Sequence, residues 1–405
     1  MTKLFPDFTD MENEKPAYSR KAKLGRYERV GRDLEQNSDP WKTWVDISNF
    51  PTLETPYNFV DLFCGAGGLT LGLSQAGFRP ISGVEMVPVA CRTHRRNFPD
   101  CHLFEGDIRE FEPKKWLGGT PVHIVTGGPP CQGFSIAGRR NPHDERNNLF
   151  REFVRVVAAL QPYYVVMENV PGILTMQKGG VKEAIFEAFR DIGYGSISVA
   201  VLESAAYGIA QIRPRAVFIA NRLGMLNPYP YPQLKSDKYK PIEEAISDLP
   251  AYTPQREINH EWTRHSQAYM ERIAQVPPGG SLYKTFADAF KRQYPGVPSM
   301  TVKENHGGTH IHPHLNRVIS AREMARLQSF PDSFLFEGTM KKAMWQIGNA
   351  VPPRLAEVIG LALHPFVEKA DKNPDIAPVG RSSTEMSLFD ASRADDTVPQ
   401  FRDDY

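Results

Sequence analysis

Cysteine is scarce in this chain, with four in 405 residues, at 64, 91, 101 and 131. No two are spaced C-x-x-C, which argues against a thiol-redox motif and a cysteine-built zinc site. So few in so long a chain point to a reducing compartment rather than a disulfide scaffold. An excess of one charge is lacking as well: 48 Lys and Arg against 47 Asp and Glu leave a formal net of +1. Any basic surface for a polyanion must therefore be local. No apolar run approaches the roughly 18 residues of a membrane span. The opening MTKLFPDFTDMENEKPAYSRK has no apolar signal core. Internal repeats are also missing. The expectation is a soluble, cytoplasmic protein of two or three domains.

What is present is a strand–helix alternation between two polar ends. Residues 1–56 are charged and weakly periodic, an extension expected to be partly disordered or folded over the body. Residues 369–405 read as a disordered tail. Between them, 57–63 form an apolar strand running into glycines, 69–76 a helix ended by Gly77, and 80–85 a second strand. Residues 123–126 form a third strand, which runs into Gly127, Gly128, Pro129 and Pro130. Apolar residues at 150, 153, 154, 157 and 160 have helical spacing. Residues 163–167 are an unbroken apolar strand ending at Glu168, and 216–220 are another. The alternation predicts an α/β fold with a parallel sheet covered on both faces. From about 222 to 316 proline and tyrosine cluster and periodicity fades, as in a second, loop-rich domain. Helical patterns return at 320–328 and 351–364, so the chain is expected to rejoin the first domain.

Two stretches carry chemistry at strand ends. In NFVDLFCGAGGLTLGL, Gly65, Gly67 and Gly68 stand between a strand and a helix, where backbone N–H groups approach a ligand. Position 70 is Thr, so the spacing departs from G-x-G-x-x-G. Glu85 ends the next strand, suited to ribose hydroxyls. Met86 can pack on a flat adenine ring, and Asp107 in GDIRE falls on the same sheet edge. Each alone has a bland reading, since glycines end strands and lone carboxylates are usually solvated. Together, at successive strand ends, they indicate an adenosyl cofactor.

The second stretch is GGPPCQGFS, where prolines restrict the loop before Cys131. Cysteine is often a small buried hydrophobe, which suits Cys64, Cys91 and Cys101. The turn around Cys131 marks a nucleophile instead. Glu168, in VVMENVPG, closes what should be the neighbouring strand, where partial desolvation lets it hold or share a proton. Its alternative role is to cap the following turn. In YGIAQIRPRAVF, Arg213 and Arg215 alternate and so project to one side; phosphate contact or a surface ion pair is the alternative.

These motifs, in this order from about 57 to 366, resemble the bacterial cytosine-5 DNA methyltransferase family. DLFCGAGG resembles its cofactor loop, GPPCQGFS its nucleophile loop, ENV its glutamate motif and QIRPR its Gln-x-Arg-x-Arg motif. REMARLQSFPD and QIGNAVPP resemble its closing motifs. The resemblance implies a Rossmann-like, S-adenosylmethionine-binding catalytic domain over 57–221 and 338–368. It also implies a smaller target-recognition domain over 222–337, with a DNA cleft between the two. It implies catalytic roles for Cys131, Glu168, Arg215 and Arg213. Phe63, Gly65, Gly67, Gly68, Glu85, Met86, Asp107, Ile108, Pro130, Leu149, Asn349 and Val351 would meet the cofactor. Gln132, Ser135, Arg139, Arg140 and Gln211 would meet DNA, with Tyr283, Lys291, Arg292 and Lys303 as base readers by location. Arg322 and Glu323 would be structural. His306, His310, His312 and His314 lack carboxylate and cysteine neighbours, so they read as a loop at the cleft rim and no metal is expected.

The expected reaction is transfer of a methyl group to carbon 5 of a cytosine flipped out of duplex DNA. The long 222–316 segment favours DNA over transfer RNA. Expected partners are double-stranded DNA, which would hold the protein at the nucleoid, and a cognate restriction endonuclease or other defence protein. A monomer is expected.

Overall fold

The computed structural model describes residues 39–48, 55–130, 145–283, 290–304 and 310–373. The chain enters through β1 (Lys42–Val45) and then builds β2 (Asn58–Leu62), α1 (Gly68–Gln75), β3 (Arg79–Glu85), α2 (Pro88–Asn97) and β4 (His102–Glu105). It continues with β5 (Ile124–Gly127), α3 (Glu145–Leu160), β6 (Tyr164–Asn169), α4 (Gly180–Asp191), β7 (Ser196–Glu203), β8 (Pro214–Asn221) and β9 (Asn227–Pro230). Seven strands make one sheet in the order β4-β3-β2-β5-β6-β8-β7. The first five run parallel to their neighbours. Strand β8 is antiparallel to both β6 and β7. The expectation of a parallel sheet thus holds up to β6. It fails at β8 because β7 returns through a short turn with no crossover helix, which only an antiparallel neighbour permits.

Strand side chains alternate between two buried layers. Phe59, Ile124, Tyr164 and Val166 face one core with Leu69 and Leu73 of α1. Val60, Leu62, Val125, Val165 and Met167 face the other with Phe153 of α3 and Phe189 of α4. Burial on both faces explains why these strands read as unbroken apolar runs. The first core is closed by α8 (Pro353–Lys372), a helix numbered after α5 (Gln267–Ala274), α6 (Ala321–Leu327) and α7 (Met340–Asn349). Helix α8 runs past residue 368, where the sequence reading ended the domain, because Val367 and Ala370 still pack on the core.

The described part of the N-terminal extension is a strap. Strand β1 pairs in parallel with β9, and the Tyr231 N–H donates to the Val45 carbonyl at 2.8 Å. The Trp44 ring lies 5.9 Å from Tyr229 and 6.0 Å from Tyr231. The expected disorder of 369–405 concerns residues almost all outside the described set.

Between 222 and 337 regular elements are short, and buried arginines organise the loops. Irregular backbone leaves carbonyls in need of donors, and a guanidinium supplies five. Arg292 donates to the carbonyls of Val276 (2.6 Å), Ile273 (2.8 Å), His312 (3.0 Å) and Leu315 (3.0 Å). The expectation that Arg292 reads bases is therefore corrected: its donors are spent inside the protein. Arg317 grips both carboxylate oxygens of Glu323 at 2.8 and 2.7 Å, and Glu323 also completes the capping box with Ser320 at the start of α6. Arg322 donates to the carbonyls of Ile258 (2.6 Å), Pro331 (2.9 Å) and Phe334 (2.7 Å), a structural role as expected. His312 accepts the N–H groups of His314 and Leu315, each at 3.1 Å, and burial pushes its imidazole down to about 4. Phe330, Phe334 and Phe336 share a core with Ala343, Met344 and Ile347 of α7. Among the described residues no helix is long and apolar enough to cross a membrane.

Candidate active site

The chain leaves β2 toward β3 and β4 on one side and returns at β5 to build outward on the other. The switch point therefore lies between the C-terminal ends of β2 and β5, where open α/β sheets bind ligands. The glycine loop follows β2, and the Pro-Pro loop follows β5. Phe63, the first residue past β2, is held at φ 57°, a left-handed conformation uncommon for a bulky side chain. Gly65 (φ 54°) has nothing within 4 Å of where a Cβ would stand, so its side faces open space. Gly67 and Gly68 are also required by packing. A Cβ at Gly67 would come within 2.3 Å of the Phe98 ring, and one at Gly68 within 2.2 Å of the Val351 carbonyl. Val351 thereby meets the glycine turn across nearly three hundred residues of chain.

Glu85 is the fixed acceptor of this edge. Its Oε2 takes the Gly65 N–H at 2.9 Å, and its Oε1 takes those of Met86 (2.9 Å) and Val87 (2.8 Å). Burial pushes the carboxyl up from its ordinary value, and the N–H groups of Val87, Gly65 and Met86 pull it back. Met86 is 52% exposed, an unusual state for a large apolar side chain beside a polar strand end. Asp107 accepts the Arg109 N–H at 2.9 Å and is paired with its guanidinium at 2.6 Å. Ile108 is buried next to it. A preset carboxylate with spare lone pairs, an open glycine and an exposed thioether suit the ribose hydroxyls and flat base of an adenosyl group. Asn349 is exposed at the end of α7, and Leu149 is half-buried on α3.

Glu85→Gln keeps the shape but leaves one accepting oxygen for these contacts. It is expected to weaken S-adenosylhomocysteine binding about 10- to 100-fold, the weight of a charge-assisted hydrogen bond. Titration calorimetry checks this, and an affinity within twofold of the native protein would remove Glu85 from the site.

Beneath the loop lies a buried group that sequence reading missed. Asp61 on β2 accepts the Thr70 hydroxyl at 2.6 Å, and Thr70 Oγ1 lies 3.2 Å from His94 Nε2. Burial pushes Asp61 up to about 7 and His94 down to about 4. The three tie β2, α1 and α2 together under the glycine turn.

On the other side of the switch point, Gly127 of β5 pairs with Met167 of β6. This brings the Pro-Pro loop beside Glu168. The Arg215 Nε stands 2.6 Å from Glu168 Oε1, with the two side chains only 10% and 12% exposed. A Cβ at Gly128 would lie 3.3 Å from Glu168 Oε2, so the small residue leaves that oxygen room. Asn169, not singled out by sequence, donates Nδ2 to the Pro129 carbonyl at 2.9 Å. It anchors the loop two residues before Cys131, and the intervening Pro130 is exposed. The ENV motif was the available signal for it.

Cys131, Gln132, Ser135, Arg139 and Arg140 lie outside the described residues. Two other expectations are corrected. Gln211 was expected to meet DNA, yet it is fully buried; its Nε2 donates to the Leu327 carbonyl at 3.0 Å and its Oε1 accepts the Val302 N–H at 2.8 Å. Arg213 was expected to share the catalytic role of Arg215. It is 1% exposed and donates to the carbonyls of Val302 (2.6 Å), Gly348 (2.8 Å) and Ala350 (2.9 Å). Burial lowers its proton affinity, with the neighbouring Arg215 adding to the effect.

A sequence model described as C-5 cytosine-specific DNA methylase matches residues 57–364. The chain is 38% identical over 323 residues to the Type II methyltransferase M1.HphI of Haemophilus parahaemolyticus, covering 75% of this chain and 86% of that protein. It is 34% identical over 362 residues to the Type II methyltransferase M.DdeI of Desulfomicrobium norvegicum, covering 75% and 87%. The crystal structure of a prophage-encoded DNA modification methyltransferase of E. coli superposes with a TM-score of 0.61 at 29% identity, covering 77% of this chain and 99% of the other. The Spodoptera frugiperda DNMT2 structure, at TM-score 0.55 and 18% identity over 76% and 99%, shares the fold.

Proposed function

The chain belongs to the C-5 cytosine-specific DNA methylase family, and we propose that it methylates a cytosine flipped out of duplex DNA through a covalent adduct on Cys131. The family makes it a DNA cytosine-5 methyltransferase with S-adenosylmethionine as donor. The observation that carries the mechanistic reading is the largely enclosed Glu168–Arg215 pair at the end of β6, beside the loop that leads to Cys131.

Carbon 5 of cytosine is a poor nucleophile. Attack of the Cys131 thiolate on carbon 6 forms an S–C bond and turns the ring into an enamine. Negative charge moves toward N3 in this step. Glu168 holds a proton at N3, and Arg215 fixes the carboxyl and offers its remaining N–H donors to the base carbonyl. Glu85, Met86 and the glycine turn would hold S-adenosylmethionine, which would supply the methyl group to carbon 5 and leave as S-adenosylhomocysteine. The carbon 5 proton then leaves to a base, the S–C bond breaks, and Cys131 is released with carbon 5 methylated. Stacked bases shield carbon 6, which is why flipping is required.

Residues 57–221 with 338–368 are the catalytic domain in this reading, and 222–337 the target-recognition domain. Arg139, Arg140, Gln132 and Ser135 would contact the DNA in this reading. The Type II relatives support pairing with a cognate restriction endonuclease.

The test is transfer of tritiated methyl groups by the full chain to duplex DNA and, in parallel, to transfer RNA. Label in duplex DNA, at one sequence by bisulfite reading, is the expected result. Label in transfer RNA alone overturns the DNA assignment.

A further inference from the structure

We propose that Arg213 is a positioning residue that couples the cofactor site to the recognition segment, so that each ligand tightens the binding of the other. Alternate residues at the entry to β8 grip three separate parts of the molecule. Gln211 holds the Val302 N–H at 2.8 Å and the Leu327 carbonyl at 3.0 Å. Arg213 holds the Val302 carbonyl at 2.6 Å, and the Gly348 and Ala350 carbonyls at 2.8 and 2.9 Å. Arg215 holds Glu168 at 2.6 Å. Val302 is thus fastened at both its N–H and its carbonyl, and Gly348 and Ala350 flank Asn349.

The surrounding backbone has little slack. Thr301 Oγ1 donates to the Ile212 carbonyl at 2.7 Å, and the Ile212 N–H to the Ser299 carbonyl at 2.9 Å. A Cβ at Gly348 would lie 2.2 Å from the Glu304 nitrogen, so that strand of main chain rests directly on the last turn of α7. A guanidinium is a planar fork with fixed donor directions. Shifting Val302 or the 348–350 turn by an ångström breaks a hydrogen bond that water cannot replace in so buried a place. The two segments therefore move together, and through the 211–215 strand they move with Arg215 and Glu168. The inference rests on the reading in which Asn349 and Val351 meet the cofactor and 222–337 meets DNA.

The probes are S-adenosylhomocysteine and a duplex carrying the methylated sequence found by bisulfite reading. For the native protein, saturating S-adenosylhomocysteine should tighten duplex binding by about tenfold or more, within the usual range of coupling between sites. Arg213→Lys keeps the charge but loses the fork. It should bring that ratio to within about twofold of one, while each ligand alone still binds. An unchanged ratio in folded Arg213→Lys, or a native ratio of one, overturns the proposal. Failure of the native protein to bind either probe overturns instead the functional reading beneath it. Should the variant not fold, hydrogen exchange on the native protein decides: S-adenosylhomocysteine alone should slow exchange at the Val302 amide, and an unchanged rate refutes the coupling.

Discussion

Cys131→Ser is expected to abolish methyl transfer, with kcat down more than about 10³-fold, while duplex binding survives. The reason is acidity. A thiol ionises enough near neutral pH to supply a strong nucleophile, whereas a serine hydroxyl stays protonated without a dedicated base. In the proposed mechanism Glu168 is not that base, because its carboxyl, paired with Arg215, is assigned to the ring nitrogen. The substitution is conservative in size, since serine is no larger than cysteine, and the Asn169 bond to the Pro129 carbonyl at 2.9 Å does not involve the replaced side chain. Cys131→Ala should likewise bind duplex with near-native affinity. Single-turnover transfer of tritiated methyl groups is the measurement, and a rate within tenfold of the native protein would sink the nucleophile assignment.

The second large effect is expected at Glu168. Glu168→Gln should lower the single-turnover rate by about 10²- to 10⁴-fold, the usual weight of a positioned proton donor. S-adenosylhomocysteine affinity should stay within about twofold, since Glu168 is not among the residues proposed to hold it. Magnitudes separate this from a structural role. An exposed ion pair contributes at most about 1 kcal/mol, but this pair is 10% and 12% exposed. Breaking a buried pair by removing one partner costs about 3–5 kcal/mol. The glutamine still accepts the Arg215 Nε and the guanidinium keeps some contact with solvent, so the lost charge should cost less than that range and the fold should hold. A melting temperature close to native with a collapsed rate is the expected pattern. Parallel losses in rate, cofactor affinity and melting temperature would mean that Glu168 only holds the sheet edge together.

Much of the catalytic half was legible in sequence because each strand is apolar on both faces and stops at a polar residue. Glu85 and Glu168 stand at the ends of β3 and β6 as the apolar runs predict. The pairing of β5 with β6 then follows from a parallel sheet, and it brings the Pro-Pro loop beside Glu168. Strand β7 was missed because Ser196–Glu203 mixes serine with apolar residues, β9 because two of its four residues are proline, and β1 because it is only four residues long within a polar stretch. The Asp61–Thr70–His94 group was missed for a different reason: its members are polar residues on three different elements that meet only in the folded chain, and spacing does not report that.

By itself, the sequence determined the strand-end positions of Glu85 and Glu168 and the order of the motifs, since local spacing and strand ends place these. Only the tertiary structure decided what the polar side chains of the QIRPR stretch and the recognition segment do. Gln211, Arg213 and Arg292 have the charge or amide of DNA-binding groups, yet each is spent on main-chain atoms inside the fold. A side chain's donors are written in its chemistry, but whether they meet a phosphate or a buried carbonyl depends on which loops fold over it. For Gln211 and Arg213 those contacts join residues some ninety to more than a hundred positions apart.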